Sequence, residues 1–166
     1  MIVLLMGVSG SGKTTVGEAL AAKLGCAFFD ADHFHPRANI LKMATGQPLT
    51  DDDRLPWLHT LRGMIEGWLG VGASAVLACS ALKRRYRDLL MRPGEPIRLV
   101  YLRGDAATIL DRMRGRSHFF KPAMLQSQFD ALEPPTSAEA AVIVDIDAEV
   151  DEVVAAILTA LGHRGT

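Results

Sequence analysis

Gly7-Val8-Ser9-Gly10-Ser11-Gly12-Lys13-Thr14 is the stretch that decides the fold. It satisfies G-x-x-x-x-G-K-[ST] and lies between an apolar run, Ile2 to Met6, and a segment of helical period, Thr14 to Leu24, which is the strand-to-helix setting the motif requires. The spacing has a chemical reason. Glycines let successive backbone N–H groups curl around a phosphate, and the helix N-terminus adds partial positive charge. Lys13 reaches the β- and γ-phosphates, and the Thr14 hydroxyl is suited to Mg²⁺. Residues 7–14 together with Thr15 are therefore expected to bind the phosphates of a purine nucleotide with its Mg²⁺.

Outward from this loop, strand-length apolar runs recur: Ile2 to Met6, Ala27 to Phe29, Ala75 to Cys79, Ile97 to Leu102 and Val142 to Ile146. Each is followed by a helical segment, and each is apolar throughout rather than alternating, as strands covered on both faces read. An α/β fold with a parallel sheet follows. One helix spans Thr14 to Leu24 and stops at Gly25; another begins near Asp53 with Pro56 in its first turn; the last carries a stripe of Val150, Val153, Val154, Ile157, Leu158 and Leu161. Trp57, Trp68 and the methionines are expected in the core.

Composition narrows the function classes. In 166 residues, 18 Lys and Arg offset 19 Asp and Glu, so no global positive charge serves a nucleic-acid backbone. The opening MIVLLMG lacks a basic region and a cleavage site, and no run approaches a membrane span, so a cytoplasmic protein without membrane partners is expected. Cys26 and Cys79 stand in apolar runs without metal-binding spacing and read as buried thiols.

The third run ends in Ser80 rather than the acid that holds Mg²⁺ in motor-type ATPases, and no Asn-Lys-x-Asp guanine-reading motif occurs. A small kinase is the reading left. Asp30 and Asp32 follow the second run at the sheet edge where open α/β folds bind ligands. Asp30 is expected in the metal shell, through water, and Asp32 on the acceptor hydroxyl; a helix N-cap and a turn aspartate are the alternatives. His33 and His35 lie just beyond.

Three strings carry a resemblance. Asp30-Ala31-Asp32-His33-Phe34-His35-Pro36, with Asn39-Ile40, Lys42-Met43, Gly46, Pro48-Leu49 and Asp51-Asp52-Asp53-Arg54 before Pro56-Trp57-Leu58, is similar to the substrate region of the gluconokinases. Cys79-Ser80-Ala81-Leu82-Lys83-Arg84 with Tyr86-Arg87-Asp88 resembles a second stretch of that family, and Gly115-Arg116 with His118-Phe119-Phe120, Met124-Leu125 and Gln128-Phe129 a third. The similarity covers about residues 2 to 160. It implies a single three-layer P-loop kinase domain over 1–166, with a five-stranded parallel sheet in the order 2-3-1-4-5 and helices on both faces. An acceptor-binding insertion about 30–55 and a short lid about 113–135 are expected. The implied reaction is phosphorylation of D-gluconate at its 6-hydroxyl by ATP; another sugar acid, shikimate or a nucleoside monophosphate is the alternative acceptor.

Gluconate is a carboxylate bearing hydroxyls, so its site should pair a cation with groups that bond hydroxyls. Arg54, Lys83 and Arg87 are the candidate cations, and Asp32, His35, His118 and Gln128 the candidate hydroxyl partners. Helical spacing sets Lys83 and Arg87 on one side, which favours that pair over Arg84 and Arg85, although a solvated basic face is the alternative. Asp51 to Asp53 read as the acidic first turn of a helix. By similarity, Arg112 would stack near the adenine and Arg116 would reach the phosphates as the lid closes and expels water. Lys13, Asp32 and Arg116 are thus the expected catalytic residues. The resemblance also implies a homodimer, for which the sequence shows no heptad signature.

Overall fold

The computed structural model describes residues 1–114 and 122–163. Five parallel strands, β1 (Ile2–Met6), β2 (Ala27–Asp30), β3 (Ala75–Ala78), β4 (Ile97–Arg103) and β5 (Val142–Asp145), form one sheet in the order β2-β3-β1-β4-β5. Seven helices accompany them among the described residues: α1 (Lys13–Leu24), α2 (Arg37–Ala44), α3 (Asp51–Gly70), α4 (Arg84–Leu90), α5 (Ala106–Arg114), α6 (Pro122–Ala131) and α7 (Val150–Ala160).

Every residue of central β1 is buried, and its side chains divide by alternation. Ile2, Leu4 and Met6 enter one cluster with Leu61 and Ile65 of α3 and Leu90 of α4. Val3 and Leu5 enter the other with Val16 and Leu20 of α1 and Val153 and Ile157 of α7. Both faces are thereby covered, which is why the strands read as continuous apolar runs. Gly17 is where α1 meets β2 most closely: a Cβ there would lie 2.4 Å from the Phe28 ring. The stripe read in the last segment packs as α7.

The start of α3 differs from the sequence expectation. It begins at Asp51, so Pro56 falls in the second turn rather than the first. The cause is Thr50, whose hydroxyl accepts from the Asp53 N–H (3.1 Å) while the Asp53 carboxylate accepts from the Thr50 N–H (2.7 Å). This reciprocal capping box fixes the helix two residues earlier than the proline signal indicated. The Asp53 carboxylate also accepts from Lys42 Nζ at 2.5 Å, so α2 is tied to the first turn of α3. These hydrogen bonds, with the Lys42 contact first, hold the Asp53 carboxyl down at about 2. The Asp51–Asp53 run is thus a helix start, as its composition indicated.

Candidate active site

The loop after β1 folds without a side-chain cap: Gly12, at φ 88°, precedes α1 and leaves the first N–H groups of the helix to a ligand. Gly10, at φ 79°, packs against α5, where a Cβ would fall 2.8 Å from Met113 Sδ. Lys13 Nζ donates to the Gly7 and Val8 carbonyls at 2.9 and 3.0 Å, folding its stem over the loop. Burial lowers the Lys13 pKa, while the charges of Asp32 and Asp30 oppose that shift. The ammonium is thus within the electrostatic reach of both aspartates. Beneath it Cys79 is fully buried, and burial pushes its thiol up to about 12, which leaves it protonated and inert.

The donor set fits a nucleotide phosphate and its cation. Thr14 Oγ1 donates to Asp30 Oδ2 at 3.0 Å, pairing one hydroxyl with one carboxylate at the mouth of the loop. Among the described residues no cluster of three or more His, Cys, Asp or Glu could hold a metal ion, so a divalent cation here would complete its shell with phosphate oxygens and water. Ser11 Oγ is buried in the loop without a hydrogen-bond partner among the described residues. Thr15 is exposed in the first turn of α1. Against the Thr14–Asp30 pair lies a cavity of about 240 Å³, also lined by Glu18, Phe28, His33 and Phe34.

Asp30 has two partners at once, since its other oxygen accepts from the Asp32 N–H at 3.0 Å and caps the short turn Ala31–Phe34. That turn swings Asp32 outward, its side chain 73% exposed, with Oδ1 3.9 Å from His35 Nε2. His35 lies flat on Trp57, ring centroids 4.2 Å apart. Trp57 Nε1 in turn donates to the Ala31 carbonyl at 2.8 Å, so the tryptophan is both core and platform.

The basic groups after β3 are sorted differently from the sequence expectation. Lys83 is the N-cap of α4, in extended conformation, so the i,i+4 helical relation to Arg87 does not apply. Arg87 turns inward, 2% exposed, with Nε and Nη2 on the Glu139 carboxylate at 2.6 and 3.1 Å and Nη1 on the Ala81 and Leu82 carbonyls. A guanidinium spent on four buried acceptor contacts of this kind is a structural group, and Arg87 is withdrawn as a substrate cation. Arg85, passed over in the sequence, lies beside Lys83 instead: both pair with Asp51, and the Tyr86 hydroxyl donates to the same carboxylate. The Arg54, Lys83 and Arg85 cations stand 6.0, 5.8 and 5.6 Å from the Tyr86 ring centroid. Arg54 also donates to the Leu49 carbonyl.

Gln128 also lies elsewhere than expected. On α6, its Oε1 accepts from the Ser9 N–H at 2.7 Å and its Nε2 donates to Ser9 Oγ at 2.9 Å, so it touches the phosphate loop and not the hydroxyl partners Asp32 and His35. Arg112, near the end of α5, donates to the Ile146 carbonyl just after β5. Arg116 and His118 lie outside the described residues.

A parallel 2-3-1-4-5 sheet carrying a Gly-rich loop and Lys13 after its central strand, with a carboxylate-bearing turn at the end of edge strand β2, defines a P-loop kinase of the small-molecule type. The sequence family described as "AAA domain" matches residues 2–135. The chain is 46% identical to a Mus musculus protein named "Probable gluconokinase", over 96% of this chain and 97% of that one. It is 45% identical to the "Thermoresistant gluconokinase" of Escherichia coli K12, over 95% and 91%. The crystal structure of a gluconokinase from Sinorhizobium meliloti 1021 superposes with a TM-score of 0.88 at 41% identity, covering 98% of this chain and 92% of that one. The chain belongs to the gluconokinase family.

Proposed function

We propose that this chain transfers the γ-phosphoryl group of ATP to the 6-hydroxyl of D-gluconate, giving 6-phospho-D-gluconate and ADP. The observation that carries the proposal is a full-length likeness to gluconokinases above 40% identity in a chain whose Lys13 amine sits on the carbonyls of the phosphate loop. Phosphoryl transfer asks a protein for positioning and charge neutralisation more than for covalent chemistry. The N–H groups of residues 7–15 and the Lys13 ammonium serve the phosphates. Thr14 and Asp30 would hold Mg²⁺, which when bound neutralises phosphate charge, and Asp30 acts partly through water.

On the acceptor side, Asp32 accepts the proton of the attacking hydroxyl or orients it, and His35 bonds a hydroxyl. Lys83, Arg85 and Arg54, around Tyr86, offer positive charge for the gluconate carboxylate, once its oxygens compete with Asp51. Residues 30–55 form the acceptor-binding insertion and 113–135 the lid. Arg112 serves the adenine side, Arg116 the phosphates and His118 a hydroxyl. The reading includes a cytoplasmic homodimer; among the described residues no helix is long and apolar enough to cross a membrane.

ADP release measured with gluconate, other aldonates, shikimate and nucleoside monophosphates tests the assignment. A single strong response to gluconate is expected. Faster turnover of shikimate or a monophosphate overturns it.

A further inference from the structure

Asn39 is one of four buried polar or charged residues among those described, and no nucleotide or substrate contact explains it. It sits on α2 at 5% exposure, between the first turn of α3 and the His35 ring. Its Nδ2 lies 2.8 Å from the Asp53 carbonyl and 3.3 Å from His35 Nδ1. A backbone carbonyl only accepts, so the Asn39 atom facing it is the amide nitrogen rather than the oxygen. That nitrogen carries two hydrogens, and with one on the Asp53 carbonyl the other faces His35 Nδ1. Nδ1 must therefore be the lone-pair nitrogen, and the ring proton is left on Nε2, the atom directed at Asp32.

The surroundings agree. Burial lowers the His35 pKa, the Asp32 charge opposes that shift, and the Arg54 charge adds to it. Stacking on Trp57 fixes the ring plane. The 3.9 Å between Nε2 and Asp32 Oδ1 is too long for a direct hydrogen bond, yet an oxygen placed about 2.8 Å from each atom bridges them. A hydroxyl suits that place, because it accepts from an N–H and donates to a carboxylate.

We propose that Asn39 is a positioning residue that locks His35 as a neutral Nε2–H donor, so that His35 and Asp32 form a donor–acceptor pair reading the direction of one O–H bond on a polyhydroxy-acid substrate. The part concerning substrate rests on the function proposed above; the tautomer does not. The pair points the hydroxyl proton at the Asp32 carboxylate and rejects groups that only donate or only accept.

Long-range ¹⁵N–¹H spectra of the ¹⁵N-labelled full chain at neutral pH test this, with His35 assigned by its loss in His35→Gln. The expected pattern is an unprotonated nitrogen coupled to Hε1 and only weakly to Hδ2, and a protonated nitrogen coupled strongly to both. A proton on Nδ1, or on both nitrogens, overturns the proposal. In Asn39→Asp an acceptor replaces the donor at Nδ1, so His35 should gain a proton there. kcat/KM for gluconate should then fall by about tenfold or more while KM for ATP stays within twofold. An unchanged tautomer with unchanged kcat/KM in that variant also overturns it. If Asn39→Asp does not fold, the wild-type spectrum still decides. A wild-type Nε2–H ring without gluconate turnover would defeat the proposed function and leave the lock standing; turnover with the other tautomer would do the reverse.

Discussion

The two halves of the site are built from different materials. On the donor side, residues 7–15 present backbone N–H groups, and the side chains that matter are few: Lys13 on two carbonyls and Thr14 on Asp30. On the acceptor side, side chains from α2, α3 and α4 and the turn Ala31–Phe34 hold one another through Asp51, Asp53, Asn39 and Trp57. A backbone site tolerates change in most side chains but concentrates its dependence on a few, Lys13 foremost. A side-chain site spreads its dependence across a network.

Two substitutions break that comparison most severely. Lys13→Ala removes the ammonium proposed to serve the phosphates and the tie across the loop. Its kcat/KM should fall by about three orders of magnitude or more with an unchanged circular dichroism spectrum. Near-normal ADP release would remove Lys13 from the mechanism. Asp32→Asn keeps size and loses the charge, and kcat should drop by about two orders of magnitude. A rise in KM alone would make Asp32 a binding group. Its exposed position makes loss of stability a poor explanation for either result.

The same contrast governs what the sequence made legible. The phosphate loop could be read because its geometry is local: glycine spacing between a strand and a helix leaves the backbone little choice. The five strands matched within a residue or two for a similar reason, as continuous apolar runs have few other homes. Arg87 was misread because its partner, Glu139, is 52 residues away, and because Lys83 proved to be a cap rather than the first residue of a helix. Gln128 is 119 residues from Ser9, and no local pattern announces that meeting. The start of α3 was legible and missed: Thr50 stands three residues before Asp53, which is a capping-box spacing. Asn39 carries no such local signal, since its role depends on two elements brought together by the fold.

Arg87 and Arg85 offer a test within one helix. Burial pushes the Glu139 carboxyl up, but the Arg87 contact and the Thr136 N–H outweigh it and leave its pKa lowered. Arg87→Ala would leave that carboxylate, at 7% exposure, with the Thr136 N–H at 2.9 Å and the Arg84 guanidinium at 3.6 Å as remaining partners, and stability should fall by about 3 kcal/mol in urea unfolding. Arg85→Ala, at a 57% exposed side chain, should change stability by no more than about 0.5 kcal/mol and raise KM for gluconate several-fold. Reversed outcomes would restore Arg87 as the substrate cation. Gln128→Ala sharpens the boundary from the other side: with Ser9 released, KM for ATP should rise by about three- to tenfold, and KM for gluconate should hold. A shift in the gluconate constant alone would return Gln128 to the acceptor half.

The mildest expected effect concerns the tie between α2 and α3. Asp53 falls from 3.8 to about 2 through Lys42 and the Thr50 cap, so the folded protein holds its carboxylate charged more strongly than the unfolded chain does. A depressed folded pKa contributes stability that is fully present above the unfolded value and is lost as pH falls through the folded one. Glu95, held at about 2 chiefly by Arg62, titrates over the same range and would obscure a single curve. The difference between wild type and Asp53→Asn isolates the group. That difference should be constant above about pH 5 and close as pH falls from about 4 towards 2. Because the Asp53 side chain is still partly in solvent, at 27% exposure, added salt should shrink the Lys42 part and leave the capping part. A difference that instead grew on acidification would mean that Asp53 is held neutral in the fold, which its donors, Lys42 Nζ and the Thr50 N–H, do not allow.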